Sequence, residues 1–195
     1  MSHNTPAPAN DNLPYRTSFT GNNEWHTPCP EIELARAVLG SIDIDPASNT
    51  LAQQSVQALT YYTIENSGLD KPWYGKVWLN PPYAKPLLSH FVDKLVKERE
   101  AGHVTEAIVL THNFTETKWF QKLAYASNVL CFPKRRIRFI SRQGERGSPT
   151  SGQTFFYLGT NSVRFTGVFG AVGMTFSQPH EAPAISASDL MQVAA

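Results

Sequence analysis

Residues 77–83 read VWLNPPY, an apolar run of strand type that ends on Asn80, two prolines and Tyr83. The asparagine side chain brings one acceptor and two donors. Pro81 and Pro82 have fixed φ angles and no N–H, so their loop presents carbonyl oxygens without nearby main-chain donors. Tyr83 supplies a flat surface for stacking on a planar ring. These groups suit a planar ligand bearing an amino substituent. The Asn80 oxygen and the Pro81 carbonyl each accept one amino hydrogen, and the Tyr83 face holds the ring. Such an amine is a weak nucleophile because its lone pair is delocalised into the ring. Two acceptors on its hydrogens favour a more tetrahedral nitrogen and free the lone pair for attack. Asn-Pro also starts ordinary turns, but here a strand precedes it and an amphipathic helix follows.

Outward from that loop, LLSHFVDKLVKEREAG places Leu87, Leu88, Phe91, Leu95 and Val96 on one helical face and stops at Gly102. Upstream, HTPCPEIELARAVLG predicts a helix capped by Thr27, with Pro28 in its first turn and Gly40 after its last apolar residue. SIDID predicts a short strand broken at PASNT, and residues 51–59 are weakly amphipathic. Downstream, EAIVLTH predicts a strand and TKWFQKLAYAS a helix. VLCF, RIRFI, QTFFYLG and VRFTGVFGAVGMTF then read as strands. Alternating helices and short apolar strands imply an α/β domain with a mostly parallel sheet, and the final run of strands implies antiparallel edge strands. In such sheets ligands bind beyond the carboxyl ends of strands, near the topological switch point. The loops after SIDID and KVWLN both belong there.

The 195-residue chain is long enough for one domain with a sizeable core. No apolar run approaches the ~20 residues of a membrane span, and the N-terminus lacks the pattern of a secretory signal. Residues 1–19 are expected to form a flexible arm, residues 20–176 a catalytic domain and residues 177–195 a loose tail. Cys29 and Cys131 are isolated, which argues against a disulfide framework or zinc site and for a reducing cytoplasm. The formal net charge of +1 hides an asymmetry. Residues 20–75 hold seven acids and two bases, whereas residues 118–146 hold eight bases and one acid, Glu145. A block of that kind contacts a polyanion or forms a solvated face.

NPPY resembles the catalytic motif of amino methyltransferases that use S-adenosylmethionine. EWHTP resembles the aromatic-x-Thr-Pro element that precedes the cofactor-binding strand in such enzymes, and IDIDPASN stands in the place of their cofactor loop. Residues 20–160 are further similar to the compact phage and prophage DNA N6-adenine methyltransferases of Dam type. Five elements in order carry that likeness: EWHTP, DIDPA, Gly68-Leu69 with Trp73, NPPY, and FPKRRIRF at residues 132–139. A departure is the first loop, DPASNT, which has no glycine where many methyltransferases have several.

The resemblance implies a Rossmann-like S-adenosylmethionine-dependent methyltransferase fold. It implies transfer of a methyl group from S-adenosylmethionine to the exocyclic amine of adenine in a short site of double-stranded DNA. Asn80, Pro81, Pro82 and Tyr83 would form the catalytic loop. Trp25, Thr27, Pro28, Asp45, Pro46 and Ala47 would bind the cofactor, with Asn66 or Asp70 reaching its adenine. Transfer from a sulfonium is an in-line displacement that calls for no metal and no covalent enzyme intermediate. The target base would flip out of the duplex, at a cost of a few kcal/mol. The basic block then has an address. Lys134, Arg135, Arg136 and Arg138 neutralise phosphates, and Arg142 or Arg146 reaches base edges. A monomer or homodimer in the cytoplasm of a bacterial host is the expected form. Restriction protection and regulation are both open as the biological purpose. NPPY does not separate adenine from cytosine N4, nor does the basic block separate DNA from RNA. An idle nucleic-acid-binding module with the same fold is the reading from outside the enzymes.

Overall fold

The computed structural model describes residues 25–141 and 143–177. The expected arm, the expected tail from residue 178 onward and Arg142 lie outside the described residues. The chain runs β1 (Trp25–His26), α1 (Cys29–Leu39), β2 (Ile44–Asp45), α2 (Gln53–Val56), β3 (Thr60–Tyr61), β4 (Gly75–Leu79), α3 (Leu87–Glu100), β5 (Val104–His112), α4 (Lys118–Ala126), β6 (Val129–Pro133), β7 (Ile140–Ser141), β8 (Gln153–Leu158), α5 (Ser162–Phe169) and β9 (Gly173–Ser177). Two 3₁₀ turns, Ile64–Asn66 and Gly68–Asp70, lie between β3 and β4.

Seven strands form one sheet in the order β3-β2-β4-β5-β8-β6-β9. The pairs β2/β3, β2/β4 and β4/β5 are parallel. The pairs β5/β8, β6/β8 and β6/β9 are antiparallel. Five strands therefore share one direction, and β8 and β9 run against them. From β2 the chain steps outward to β3, then returns across β2 to β4 and continues to β5. The switch point lies between β2 and β4, the two strands whose following loops the sequence singles out.

Alternation along the strands explains the layers. Trp78, Ile108, Leu110, Phe155 and Tyr157 pack on one side with Ile32, Ala35, Val38 and Leu39 of α1 and Phe165 and Phe169 of α5. Val77, Leu79, Ala107, Val109, Phe156 and Leu158 pack on the other side with Leu88, Phe91, Val92 and Leu95 of α3 and Phe120 and Leu123 of α4. A sheet covered on both faces needs strands that are apolar at consecutive positions, and β8 is buried at all six.

Four expectations change. VRFTGVFGAVGMTF is not one strand: residues 162–169 form α5 and only residues 173–177 form β9. Aromatic residues at positions 165 and 169 share one helical face, and the Asn161 side chain caps the helix by accepting from the Arg164 N–H at 3.1 Å. RIRFI yields only the two-residue β7, because residues 134–139 leave the sheet as β6 ends at Pro133. Thr27 does not cap α1; Pro28 occupies that position without a side-chain cap. Leu87, expected on the apolar face of α3, is exposed, and Val92 takes its place in the core.

Candidate active site

The loops after β2 and β4 face one another at the switch point. Asn80 leaves β4 with its amide held from both ends. Its Nδ2 donates to Thr27 Oγ1 at 3.2 Å, and its Oδ1 accepts from the Tyr83 hydroxyl at 3.1 Å. The hydroxyl of Thr27 is thus used by Asn80 rather than by the helix. Pro81 is buried and Pro82 exposed, so the first proline is packed into the protein and the second forms the rim. Burial pushes the Tyr83 phenol upward, which keeps it a protonated donor and fixes the Asn80 oxygen toward it.

The Tyr83 ring stacks on His112 with centroids 4.0 Å apart, and His112 leans on Phe114 at 5.3 Å. A three-ring ladder therefore stands at the carboxyl end of β5, beside the loop that follows β4. Burial lowers the His112 pKa and favours the neutral imidazole, although a hydrogen bond with the Gly152 backbone acts in the other direction. The sequence reading missed His112 and Phe114. The signal was available in the HNF that follows EAIVLT, since the next strand must end at the same edge of the sheet.

Across the switch point, Trp25, His26, Thr27, Asp45, Ala47, Asn49, Ala52, Val56, Trp78 and Asn80 surround a cleft of about 320 Å³, counting its open mouth. Asp45 is buried in its wall. Desolvation raises its pKa to about 7 against smaller opposing effects from hydrogen bonds to Ser48, Ala47 and Gln53. Its Oδ2 accepts from Gln53 Nε2 at 2.9 Å, and that same nitrogen reaches Ser48 Oγ at 2.8 Å. Gln53 Oε1 accepts the Ala58 N–H at 2.9 Å, so one glutamine ties the loop to the start and end of α2. Neither Gln53 nor Asn49 was singled out from the sequence. Their type, an amide near an acidic loop, is too common to signal a role without the fold.

Pro46 lies under Gly68. A β-carbon on that glycine would stand 2.2 Å from the Pro46 carbonyl oxygen, so no side chain fits there. Trp73, fully buried, donates its indole N–H to the Gly68 carbonyl at 2.8 Å and locks the turn in place. The Gly68-Leu69…Trp73 pattern is thus a brace for the DPASN loop. Asn66 and Asp70 sit on the exposed side of these turns and do not line the cleft.

The basic segment leaves the same edge of the sheet after β6. Arg135, Arg136 and Arg138 are exposed, whereas Ile137 is buried with its N–H donated to Gln153 Oε1 at 2.8 Å. Lys134 turns away, reaching the Ala171 carbonyl at 3.3 Å, and Arg136 contacts the Pro149 carbonyl at 3.2 Å. Residues 139–141 then pair with residues 145–147 as the two arms of a hairpin. Ser141 and Glu145 pair through a 2.8 Å backbone bond, and Gly147 donates to Phe139 at 2.8 Å. β7 in this hairpin pairs antiparallel with β1, Trp25 opposite Ser141 and His26 opposite Ile140. Arg146, at the base of the hairpin, acts electrostatically on Glu31 of α1.

The family of DNA N-6-adenine-methyltransferases (Dam) matches residues 16–157. The chain belongs to this family. A DNA N-6-adenine-methyltransferase of Escherichia phage T1 is 31% identical over 99 residues, 49% of this chain and 38% of that protein. The chain therefore matches well under half of that relative's length. The matched family region takes in Trp25, the DPASN loop, NPPY and the basic hairpin. Among the described residues no group of three or more His, Cys, Asp or Glu is placed to hold a metal. Nor is any helix of these residues long and apolar enough to cross a membrane.

Proposed function

We propose that this protein transfers a methyl group from S-adenosylmethionine to the N6 amine of adenine in double-stranded DNA. The observation that carries the reading is the Thr27–Asn80–Tyr83 chain of hydrogen bonds, which joins the cleft wall to the catalytic loop. Reaction between two bound molecules needs reacting atoms held in line, and a joint of this kind supplies that alignment.

Membership of the Dam family favours adenine in DNA over the RNA and cytosine alternatives. The cleft fits the cofactor chemically. A buried carboxylate faces it, with an aromatic ring at Trp25 and polar groups at Thr27 and Asn49. Asp45 would accept from the amino or hydroxyl groups of the ligand, with Trp25 and Ala47 along its apolar parts. When bound, S-adenosylmethionine supplies an electrophilic methyl carbon. Everything else is done by the chain. Asn80 Oδ1 has a lone pair beyond the one used by Tyr83, and it accepts one amine hydrogen; the Pro81 carbonyl accepts the other. The Tyr83–His112–Phe114 ladder offers stacking surface to the flipped base, and a stacked base gains ~1–3 kcal/mol against the cost of extrusion. Arg135, Arg136 and Arg138 neutralise phosphates, with Arg146 placed on the hairpin to reach base edges. Asn66 and Asp70, expected to reach the cofactor's adenine, are exposed and stand outside the cleft lining, so no cofactor contact is assigned to them.

The test is transfer of labelled methyl from S-adenosylmethionine to duplex DNA, followed by analysis of the modified base and its sequence context. N6-methyladenine at a short recurring site is the expected product. DNA and cofactor binding without incorporation would mark an idle binding module. Label on RNA alone, or on cytosine N4, would replace the substrate.

A further inference from the structure

Three elements assigned to different tasks meet at Trp25. Its indole lines the cleft beside Thr27 and Asp45 and stays 41% exposed. The edge of its six-membered ring lies against Gly147 so closely that a β-carbon there would stand 2.7 Å from Cζ3 and 3.0 Å from Cη2. Its backbone pairs with Ser141, and the next residue pairs with Ile140. Two residues further along the chain, Thr27 holds the Asn80 amide. The hairpin that carries Arg146 is thus mounted on the wall of the cleft, and the same wall carries the catalytic asparagine.

We propose that Trp25 and Gly147 form a positioning joint through which occupancy of the cleft sets the pose of the Arg146 hairpin, so that cofactor and DNA bind cooperatively. The inference rests on the assignment of the cleft to the cofactor and of the hairpin to DNA. A ligand in the cleft covers the exposed face of Trp25 and restricts the ring. The ring in turn restricts Gly147 by direct contact, and β1/β7 pairing carries the restriction to residues 140–141. Two backbone pairs and one ring contact make a small interface, so the hairpin samples other poses when the ring is free. Ligand binding that removes those poses removes part of the ordering cost of DNA binding. Linkage requires the effect to be reciprocal: DNA must tighten cofactor binding by the same factor.

The experiment measures DNA affinity with and without saturating S-adenosylhomocysteine, and S-adenosylhomocysteine affinity with and without DNA, in the full chain. Wild type should show the same enhancement in both directions, about 5- to 150-fold as is usual for coupled sites. Gly147→Ala forces the ring aside and should reduce the enhancement to below about threefold, with ligand-free DNA affinity and melting temperature near wild type. Trp25→Phe keeps an aromatic ring on the cleft wall but withdraws the six-membered edge from Gly147, and should likewise reduce the enhancement. Equal enhancement in wild type and Gly147→Ala overturns the joint, as does absence of enhancement in a wild type that binds both ligands. A melting temperature lowered in Gly147→Ala leaves Trp25→Phe as the deciding variant; enhancement of wild-type size there, with both ligands bound, also overturns the joint. Failure of wild type to bind S-adenosylhomocysteine or DNA at all counts against the assignment of the sites instead.

Discussion

Two loops leave the same edge of the sheet and are built in opposite ways. After β4, Asn80 is bonded at both ends of its amide, Pro81 is buried, and Tyr83 is stacked and hydrogen-bonded. After β6, residues 134–139 run without regular structure, with exposed Lys134, Arg135, Arg136 and Arg138 around one anchor, buried Ile137. The difference matches the two tasks that the proposed reaction sets. Aligning a nitrogen with a methyl carbon requires atoms fixed to a fraction of an ångström, so the side chains must be ordered before the ligand arrives. Neutralising phosphates requires charge at the surface, where guanidinium groups stay hydrated until contact and small displacements cost little. The rigid side should therefore fail sharply when one atom is lost, and the open side by degrees.

Asn80→Ala gives the sharpest break. It removes the proposed acceptor for the amine and the partner of both Thr27 and Tyr83. Loss of one aligned polar group in an active site typically costs about 100- to 1,000-fold, and we expect a fall of that order in single-turnover methyl transfer. Cofactor affinity measured by calorimetry should change little. Full activity would remove Asn80 from its role.

Trp73→Ala tests the brace behind the rigid side. The indole is buried, bonded to the Gly68 carbonyl and stacked near Phe91 at a centroid distance of 6.0 Å. Truncating a buried tryptophan costs about 3–5 kcal/mol, and the turn that supports Pro46 loses its lock. Chemical denaturation should show that loss. Cofactor affinity of the folded fraction should fall as well, because the Asp45 loop rests on Gly68. An unaltered midpoint would show that the brace is dispensable.

The open side is probed by replacing Arg135, Arg136 and Arg138 with glutamine together. Each phosphate contact contributes about 0.9 to the slope of log affinity against log salt. Three lost contacts should flatten that slope by about 2.7, while melting temperature and cofactor affinity remain near wild type. The loss should be graded across the single variants, in contrast with Asn80. An unchanged slope would show that the patch is only a solvated face.

How far this contrast was legible in the chain follows the same division. NPPY is local chemistry: four adjacent residues, the middle two with fixed φ angles and no N–H, so their meaning survives without coordinates. The α/β alternation was equally readable because strands buried on both faces are apolar throughout, as in residues 153–158. The hydrogen bond from Asn80 to Thr27 spans 53 residues and depends on the switch point, which no local pattern encodes. Residues 134–139 alternate like a strand, yet Gln153 takes the N–H of Ile137 and the segment never joins the sheet. Residues 162–176 are rich in β-branched and aromatic types that suit either structure. Packing of Phe165 and Phe169 against Phe155 and Tyr157 decided for a helix.

Asp45 offers the finest test, because its effect is set by pH rather than by removal of atoms. Burial raises its pKa from the ordinary 3.8 to about 7. The sign is that of a carboxyl group that prefers to be neutral in the fold. Between about pH 4 and pH 7 the folded state holds a proton that the unfolded state has lost. Stability from this group is therefore greatest below pH 4, declines as pH rises to 7, and is flat above. Ligand binding has the opposite trend. A cofactor amine or hydroxyl that donates to Asp45 is better served by the carboxylate, so affinity for S-adenosylhomocysteine should rise with pH up to about 7 and level off. A group that must lose one proton to bind changes affinity at most about tenfold per pH unit. Calorimetry from pH 5.5 to 8.5 measures this directly. Asp45→Asn should bind more weakly above pH 7, lose the slope, and unfold less readily than wild type at pH 8. Of the groups held on the rigid side, Asp45 alone would then be seen to trade fold stability for ligand affinity. A slope that persists in Asp45→Asn would move the titration to another group in the cleft.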